Sequence, residues 1–306
     1  MKISGFSFVR NAIILDYPVV ESIKSILPLV DEFVIACGDS EDNTTEIIRN
    51  IGDPKIKIIE TVWDPADFVA GRSNAVQTNI ALDACTGDFC VYLQADEVIH
   101  EKYLPVIKAA CEKYLDKKEV EGFLLSFKHF WGDYNHYHWT HHWYRREIRV
   151  IRNGIGVRSW RSAQGFRIGE RKLKVVQIPA EVYHYGWVRD PLKMRKKMIA
   201  LDTVHIGEEE ARKKNLPEYV PFDYGSPRNL RLFTGTHPKV MQERISKRNW
   251  DWLPESPVRH KHDKLWVRLW SWLEENVFHT RIGEYRNYIR LGYDSSLGQY
   301  IGKELW

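Results

Sequence analysis

Apolar residues along the first 130 or so positions fall into short runs that switch between two periods. Ile3 to Arg10 alternates as a strand does, and Val20, Ile23, Ile26, Leu27 and Val30 then recur at helical spacing over Val19 to Val30. Glu32 to Cys37 predicts a second strand. Asp42-Asn43-Thr44 predicts the cap of a helix over Thr45 to Ile51, because short polar side chains accept the unpaired amides of a first turn. The unit repeats: strand over Ile56 to Val62, helix over Arg72 to Ala84, strand over Phe89 to Leu93, helix over Lys102 to Leu115, strand over Gly122 to Phe130. Phe89 to Leu93 is apolar on both faces, as expected of a central strand between helix layers. Such alternation predicts an α/β fold, a mostly parallel sheet flanked by helices and closed by right-handed crossovers.

Past Trp131 the pattern loosens. A segment rich in His, Tyr and Trp occupies residues 131 to 144, followed by predicted strands over Glu147 to Arg152 and Leu173 to Ile178 and a helix from Pro191 to about Val204. Pro217, Pro221 and Pro227 break the chain after it. Lys264 to Phe278 then carries Leu265, Leu269, Leu273 and Phe278 near helical spacing, with Trp266 and Trp270 beside them. The expected division is one domain over residues 1–200 and a helical, aromatic-rich C-terminal extension over 201–306.

The overall charge of +4 conceals a split: residues 1–125 carry a net −9 and the remainder +13, and every tryptophan except Trp63 lies in the basic part. With 43% hydrophobic and 28% charged residues the chain has the balance of a globular protein, which excludes a disordered or collagen-like one. The apolar runs fall far short of the roughly 18 to 20 residues that span a bilayer, and the start has no signal-peptide layout. The expected location is cytoplasmic, with peripheral contact at the inner face of a membrane left open. Cys37, Cys85, Cys90 and Cys111 lack metal-ligand spacing and are expected as buried thiols. A basic half attracts anionic partners such as a phosphorylated acceptor or a lipid surface, whereas no nucleic-acid motif accompanies the charge.

In an open α/β sheet ligands bind beyond the carboxyl ends of the strands. Three such places are chemically distinctive: Arg10-Asn11, the acidic turn Gly38 to Asp42, and Gln94-Ala95-Asp96-Glu97. The last sets two carboxylates after the most buried strand, where a hard divalent cation would relieve their charge. The bland alternative is that Asp96 caps the next helix and Glu97 is solvated.

The ordered series Ile3 to Asn11, Phe33 to Thr44, Gln77 to Leu82, Thr86-Gly87-Asp88 and Tyr92 to Glu97 resembles the successive motifs of family 2 glycosyltransferases over roughly residues 1–190. That resemblance implies a GT-A fold and an inverting, hexosyltransferase-type enzyme that uses a nucleotide-diphosphate sugar, in cell-surface polysaccharide synthesis. It implies a sugar-donor side in residues 1–100 and an acceptor side in 126–200. Arg10, Asn11, Asp39 and Asp42 fall where the family holds nucleobase and ribose, and Arg72 where it approaches the diphosphate, with Arg149 a further diphosphate candidate. Gln94 stands in for the first acid of the family's Asp-x-Asp motif. Asp96, Glu97 and His184, the last within Val182 to Trp187, become the expected ligands of Mn2+ or Mg2+. The family's base position falls near Gln164, which cannot accept a proton usefully, so Asp133 and Glu147 are the catalytic candidates. The His138 and His142 pair lacks a metal-site arrangement, and with Trp131, Tyr134, Tyr137, Trp139 and Trp143 it is expected to form an aromatic, sugar-facing loop. Implied partners are the nucleotide-sugar donor and a glycan or lipid-linked acceptor; a homodimer is left open. Two rival readings are a non-catalytic nucleotide-sugar or glycan-binding module and a nucleotidyltransferase, although the first strand lacks the latter's Gly-rich loop.

Overall fold

A computed structural model describes residues 1–252 and 256–298. Its strands and helices follow one another as β1 (Ile3–Val9), α1 (Val19–Ile26), β2 (Glu32–Cys37), α2 (Thr44–Arg49), β3 (Ile56–Glu60), α3 (Arg72–Asp83), β4 (Phe89–Tyr92), β5 (Glu97–Ile99), α4 (Leu104–Tyr114) and β6 (Gly122–Trp131). Then come β7 (His136–Tyr137), β8 (Arg146–Arg152), β9 (Val157–Trp160), β10 (Gly165–Ile168), β11 (Arg171–Trp187), α5 (Pro191–Ile206) and α6 (Glu208–Lys214). The last described elements are β12 (Arg231–Leu232), α7 (Gln242–Ser246), α8 (Leu265–Leu273) and β13 (Tyr288–Tyr293).

The main sheet runs β3-β2-β1-β4-β8-β6-β11-β10-β9. β3, β2, β1 and β4 are mutually parallel, β8 enters antiparallel between β4 and β6, and β6 and β11 are parallel again. The period-2 alternation read from the sequence divides the strand residues between two cores, because successive side chains leave a strand on opposite faces. Phe33, Ile35, Cys37, Phe89, Val91 and Leu93 point to the layer holding α1 and α4. Val34, Ala36, Cys90 and Tyr92 point to the layer holding α3, where Phe6, Val157 and Phe166 close the packing. All four cysteines are buried and free.

Two features depart from the sequence expectation. The strand expected to end at Ile178 continues to Trp187, so the Tyr183-His184-Tyr185 segment is the upper half of β11. The C-terminal extension also supplies strands: β13 lies parallel to the lower half of β11, and β12 pairs with β7. Helix α5, started by Asp190 through a side-chain bond to the Leu192 amide and by Pro191, runs across the expected boundary at residue 200. Among the described residues no helix is long and apolar enough to cross a membrane.

Candidate functional site

Strand order reverses beside β1, which has β2 on one side and β4 on the other, and a cavity of about 770 Å³ opens over the carboxyl ends of these strands. Arg10, Asn11, Asp39, Gln94, Asp96 and His184 line it, so six of the expected site residues converge. Trp143, Tyr144 and Trp187 form an aromatic wall, Trp63 lines the rim, and α5 closes the cavity with Met194, Lys197, Met198 and Leu201.

At the rim, Arg10 pairs with Asp39 at 3.3 Å and lies over the Trp63 ring. Asp39 also accepts the Trp63 amide at 3.1 Å. Asn11, in the left-handed region at φ 54°, accepts the Glu41 amide through Oδ1 at 2.8 Å. Asp42 behaves differently. Its carboxylate accepts the Ile13 and Ile14 amides at 3.0 and 2.8 Å and the Thr44 amide at 3.0 Å, so it shapes the loop after β1 and does not line the cavity.

The floor is built by strand register. β5 runs antiparallel to β11 with Glu97 opposite His184, and the Tyr185 amide donates to the Asp96 carbonyl at 2.8 Å, which sets the Asp96 side chain beside the His184 ring. Asp96 Oδ2 accepts from Lys197 Nζ at 2.8 Å, and Oδ1 faces His184 Nε2 at 3.8 Å. Burial alone would raise the Asp96 pKa, but the Lys197 ammonium and His184 overcome it and hold the carboxyl below the usual carboxylate range. Lys197 Nζ also donates to the Gly186 carbonyl at 2.6 Å, and burial together with nearby Arg189 brings its pKa down to about 8 despite the pull of Asp96.

The remaining expected residues lie elsewhere. Glu97 takes Arg149 on both oxygens, and neither side chain is exposed, so Glu97 is engaged away from a metal and Arg149 away from a diphosphate. Arg72, largely exposed on the first turn of α3, pairs with Asp67 at 3.0 Å, and Asn74 is the residue of that turn lining the cavity. Asp133 spends its carboxylate on the Asn135 and His136 amides and the His136 ring. Glu147 lies behind the cavity wall, accepting from Gln164 Nε2 at 3.1 Å while Gln164 faces the cavity. Burial pushes the Glu147 carboxyl up to about 8 against the opposing pull of Arg149. In the aromatic loop Trp143 and Tyr144 reach the cavity, whereas Trp131, Tyr134 and His138 are buried and pack internally.

The Glycosyl transferase family 2 model matches residues 17–174, just over half of the chain. The chain belongs to that family. The α/β GT-A architecture implied by the family is the one observed. Solved structures similar to the chain include S. aureus TarS 1-349, at 20% identity over 42% of this chain and 36% of that one, with a TM-score of 0.30. Mannosyltransferase PcManGT from Pyrobaculum calidifontis, in complex with GDP-Man and Mn2+, is 21% identical over 40% of this chain and 34% of its own, with a TM-score of 0.31. Glucosyl-3-phosphoglycerate synthase from Mycobacterium tuberculosis, in complex with Mn2+, UDP and phosphoglyceric acid, is 19% identical over 41% and 42%, at 0.28. The chain thus spans about a third of the length of the first of these proteins, and likenesses at such TM-scores transfer no site detail. No curated protein matches the chain.

Family members of this kind imply a divalent cation, and the groups present fit one in part. Among the described residues no three His, Cys, Asp or Glu side chains gather to hold a metal, so the protein offers two ligands at most, the free Asp96 oxygen and His184 Nε2. A hard cation with few protein ligands completes its shell from phosphate oxygens and water.

Sequence reasoning missed Lys197 and the rest of the α5 wall. A lysine on a helix is nearly always solvated, and only the spacing Met194, Lys197, Met198, Leu201 marks one face that turns inward.

Proposed function

We propose that the chain transfers a sugar from a nucleotide-diphosphate donor to a hydroxyl acceptor with inversion, in assembly of a cell-surface polysaccharide. The observation that carries the reading is the cavity at the strand switch point, lined by Asp96 and His184 on its floor, by Arg10, Asn11 and Asp39 at a rim that would take the nucleoside, and by Trp143 and Trp187. Flat aromatic faces there suit the apolar face of a pyranose. The domain over residues 1–200 would hold the sugar-donor and acceptor sides, with the extension buttressing the acceptor side.

In the proposed reaction the acceptor oxygen bonds to the anomeric carbon, the bond from that carbon to the phosphate oxygen breaks, and its electron pair leaves with the nucleoside diphosphate. Asp96 and His184 would hold Mn2+ or Mg2+, which supplies charge neutralisation on the diphosphate. Lys197 holds the second Asp96 oxygen, so Asp96 presents a single oxygen to the cavity. Of the two expected bases, Glu147 is the one that reaches the cavity wall, through Gln164. In this reading the acceptor hydroxyl replaces the Gln164 amide on Glu147 and passes its proton directly to that carboxylate once it is ionised, and the raised pKa makes Glu147 a stronger base than a solvated carboxylate.

The extension also supports peripheral membrane contact on the cytoplasmic side. Leu265, Trp266, Leu269, Trp270 and Trp272 are exposed on α8, only Val267 and Ser271 of that helix being buried, and Lys261 and Lys264 are exposed at its start. Exposed aromatics beside basic residues suit the interface of an anionic bilayer.

The test is a melting-temperature panel of nucleoside diphosphates with and without Mn2+, followed by assay of the sugar nucleotide whose base stabilises the chain. One nucleotide that raises the melting point, and release of its diphosphate with glycosylated product, are the expected results. Binding without turnover on any acceptor would make the chain a nucleotide-sugar-binding module, and no shift with any nucleotide would remove the reading altogether.

A further inference from the structure

Two histidines stand side by side beneath the cavity because of register. β6 and β11 run parallel with His129 opposite His184, and the two rings meet through their Nδ1 atoms at 2.9 Å. The other nitrogen of His129, Nε2, lies 2.7 Å from the Tyr144 carbonyl oxygen. Tyr144 itself lines the cavity, so this chain of contacts starts and ends at the same site.

The hydrogen positions follow from chemistry. A carbonyl oxygen only accepts, so His129 Nε2 must carry the proton of that bond. A neutral imidazole with its proton on Nε2 has a lone pair on Nδ1, which can only accept from His184. His184 therefore carries its proton on Nδ1 and leaves a lone pair on Nε2. Both rings are buried, which disfavours the charged imidazolium form. The His184 lone pair then faces the Asp96 carboxylate oxygen at 3.8 Å with no proton between them. Lys197 meets only Oδ2, so the Nε2 lone pair and Oδ1 face one another across a gap that a shared cation would bridge.

We propose that His129, oriented by the Tyr144 carbonyl, is a positioning residue that fixes His184 as the Nδ1–H tautomer and so presents Nε2 as a ligand for a divalent cation at the sugar-donor site. The inference rests on the donor-site reading above and extends it from the cavity wall to a residue with no contact to the cavity. Gly186 belongs to the same arrangement. A Cβ there would stand 2.4 Å from His184 Nε2 and 2.8 Å from Asp96 Oδ2, so only glycine leaves this space free. Outer partners of this kind orient a ligating imidazole, and their loss usually costs about 10–100-fold in metal affinity.

The experiment uses the whole chain and two readouts that do not depend on turnover. The first is the nitrogen NMR spectrum of the wild type at neutral pH, in which His184 should show a protonated Nδ1 and an unprotonated Nε2. The second is Mn2+ affinity from the loss of the free-ion paramagnetic resonance signal, in the presence of the nucleoside diphosphate that binds and after correction for Mn2+ held by that nucleotide. His129→Phe keeps a flat buried ring and removes the acceptor, and it should weaken Mn2+ binding by about tenfold or more. His129→Gln, whose amide can donate to the Tyr144 carbonyl and accept from His184, should recover much of the loss. Circular dichroism melts establish that each variant is folded, and the wild-type spectrum stands even if one is not. An unprotonated His184 Nδ1 in the wild type, or wild-type Mn2+ affinity in folded His129→Phe, overturns the inference while leaving the donor site intact. A wild type with the expected tautomer that binds nucleotide but no Mn2+ overturns the metal role of Asp96 and His184, and the inference with it.

Discussion

Arg149 grips Glu97 through two bonds, Nε to Oε2 at 2.7 Å and Nη2 to Oε1 at 2.6 Å, in a place where neither side chain meets solvent. The pair sits directly under the cavity floor, and its third arm, Nη1, donates to the Gln164 carbonyl at 3.0 Å. It thereby ties the strand-end turn that carries Asp96 to the loop that carries Gln164. Arg149→Met should therefore act on the fold, leaving the Glu97 charge buried and unpaired at a cost of about 3–5 kcal/mol. Denaturant unfolding measures this, and the double variant Glu97→Gln, Arg149→Met should recover a large part of the loss. Unchanged stability with weaker nucleotide binding would place Arg149 on the diphosphate after all.

Glu147 gives stability a pH dependence of defined sign. Its carboxyl is pushed from 4.5 up to about 8 by burial, so between those values the folded chain holds a proton that the unfolded chain has lost. Stability from this group is complete below about pH 4.5 and falls as pH rises through 8. Glu147→Gln, isosteric and uncharged, should raise the melting point relative to wild type at pH 8 and change it little at pH 5, an effect of up to a few kcal/mol. The same substitution should abolish sugar transfer while sparing nucleotide affinity, and wild-type turnover should rise with pH up to about 8. Full turnover in Glu147→Gln would remove it as the base.

Asp39 and Asp42 stand three residues apart and should separate cleanly on substitution. Asp39→Ala removes a cavity-lining carboxylate and should change affinity for the preferred nucleoside diphosphate with little effect on melting. Asp42→Ala releases two backbone amides of the loop after β1 and that of Thr44 at the start of α2, and should cost stability, by about 1–3 kcal/mol. Calorimetric titration and thermal melts on both variants test the assignment, which the reverse pattern would contradict.

Gly186→Ala should weaken binding without unfolding the chain. The added methyl group meets His184 and Asp96, both at the cavity floor. Mn2+ and nucleotide affinity should both fall while the circular dichroism spectrum stays close to wild type, and an unaffected site would show that the floor can yield at this point.

The exposed face of α8 should carry the chain onto anionic vesicles. Sedimentation with phosphatidylglycerol vesicles should bring the protein down, neutral phosphatidylcholine vesicles less so, and Trp266→Ser with Trp270→Ser should leave it in the supernatant. A mass that doubles with concentration, with no vesicle binding, would instead assign this face to a second copy of the chain.

The alternating first half was legible because each element there has its own period. Every strand and helix from β1 to α4, apart from the three-residue β5, falls within a few residues of its expected position. Cavity positions of Arg10, Asn11, Asp39, Gln94, Asp96 and His184 followed from motif order. Side-chain direction did not. Arg149 and Glu97 look free in sequence because nothing local reveals that β8 and β5 place them in contact. β13 was missed although Ile289, Leu291 and Tyr293 alternate with Arg290 and Gly292: Ile289 and Leu291 are exposed, and the strand exists through backbone bonds to a neighbour distant in sequence. Upper β11 was read as a separate histidine segment because Pro179 interrupts the run.

The order in which the ribosome delivers these strands has its own consequence. The lower half of β11 lies between β6, made before it, and β13, made long after it. While the chain is being synthesised, that half therefore waits with one edge of amides and carbonyls open, even though the cavity above is already fully encoded. An exposed edge invites pairing with any passing strand. The late arrival of Tyr288–Tyr293 is thus the step that covers this edge, and a chain released before it would carry the cavity-forming residues on a molecule inclined to aggregate.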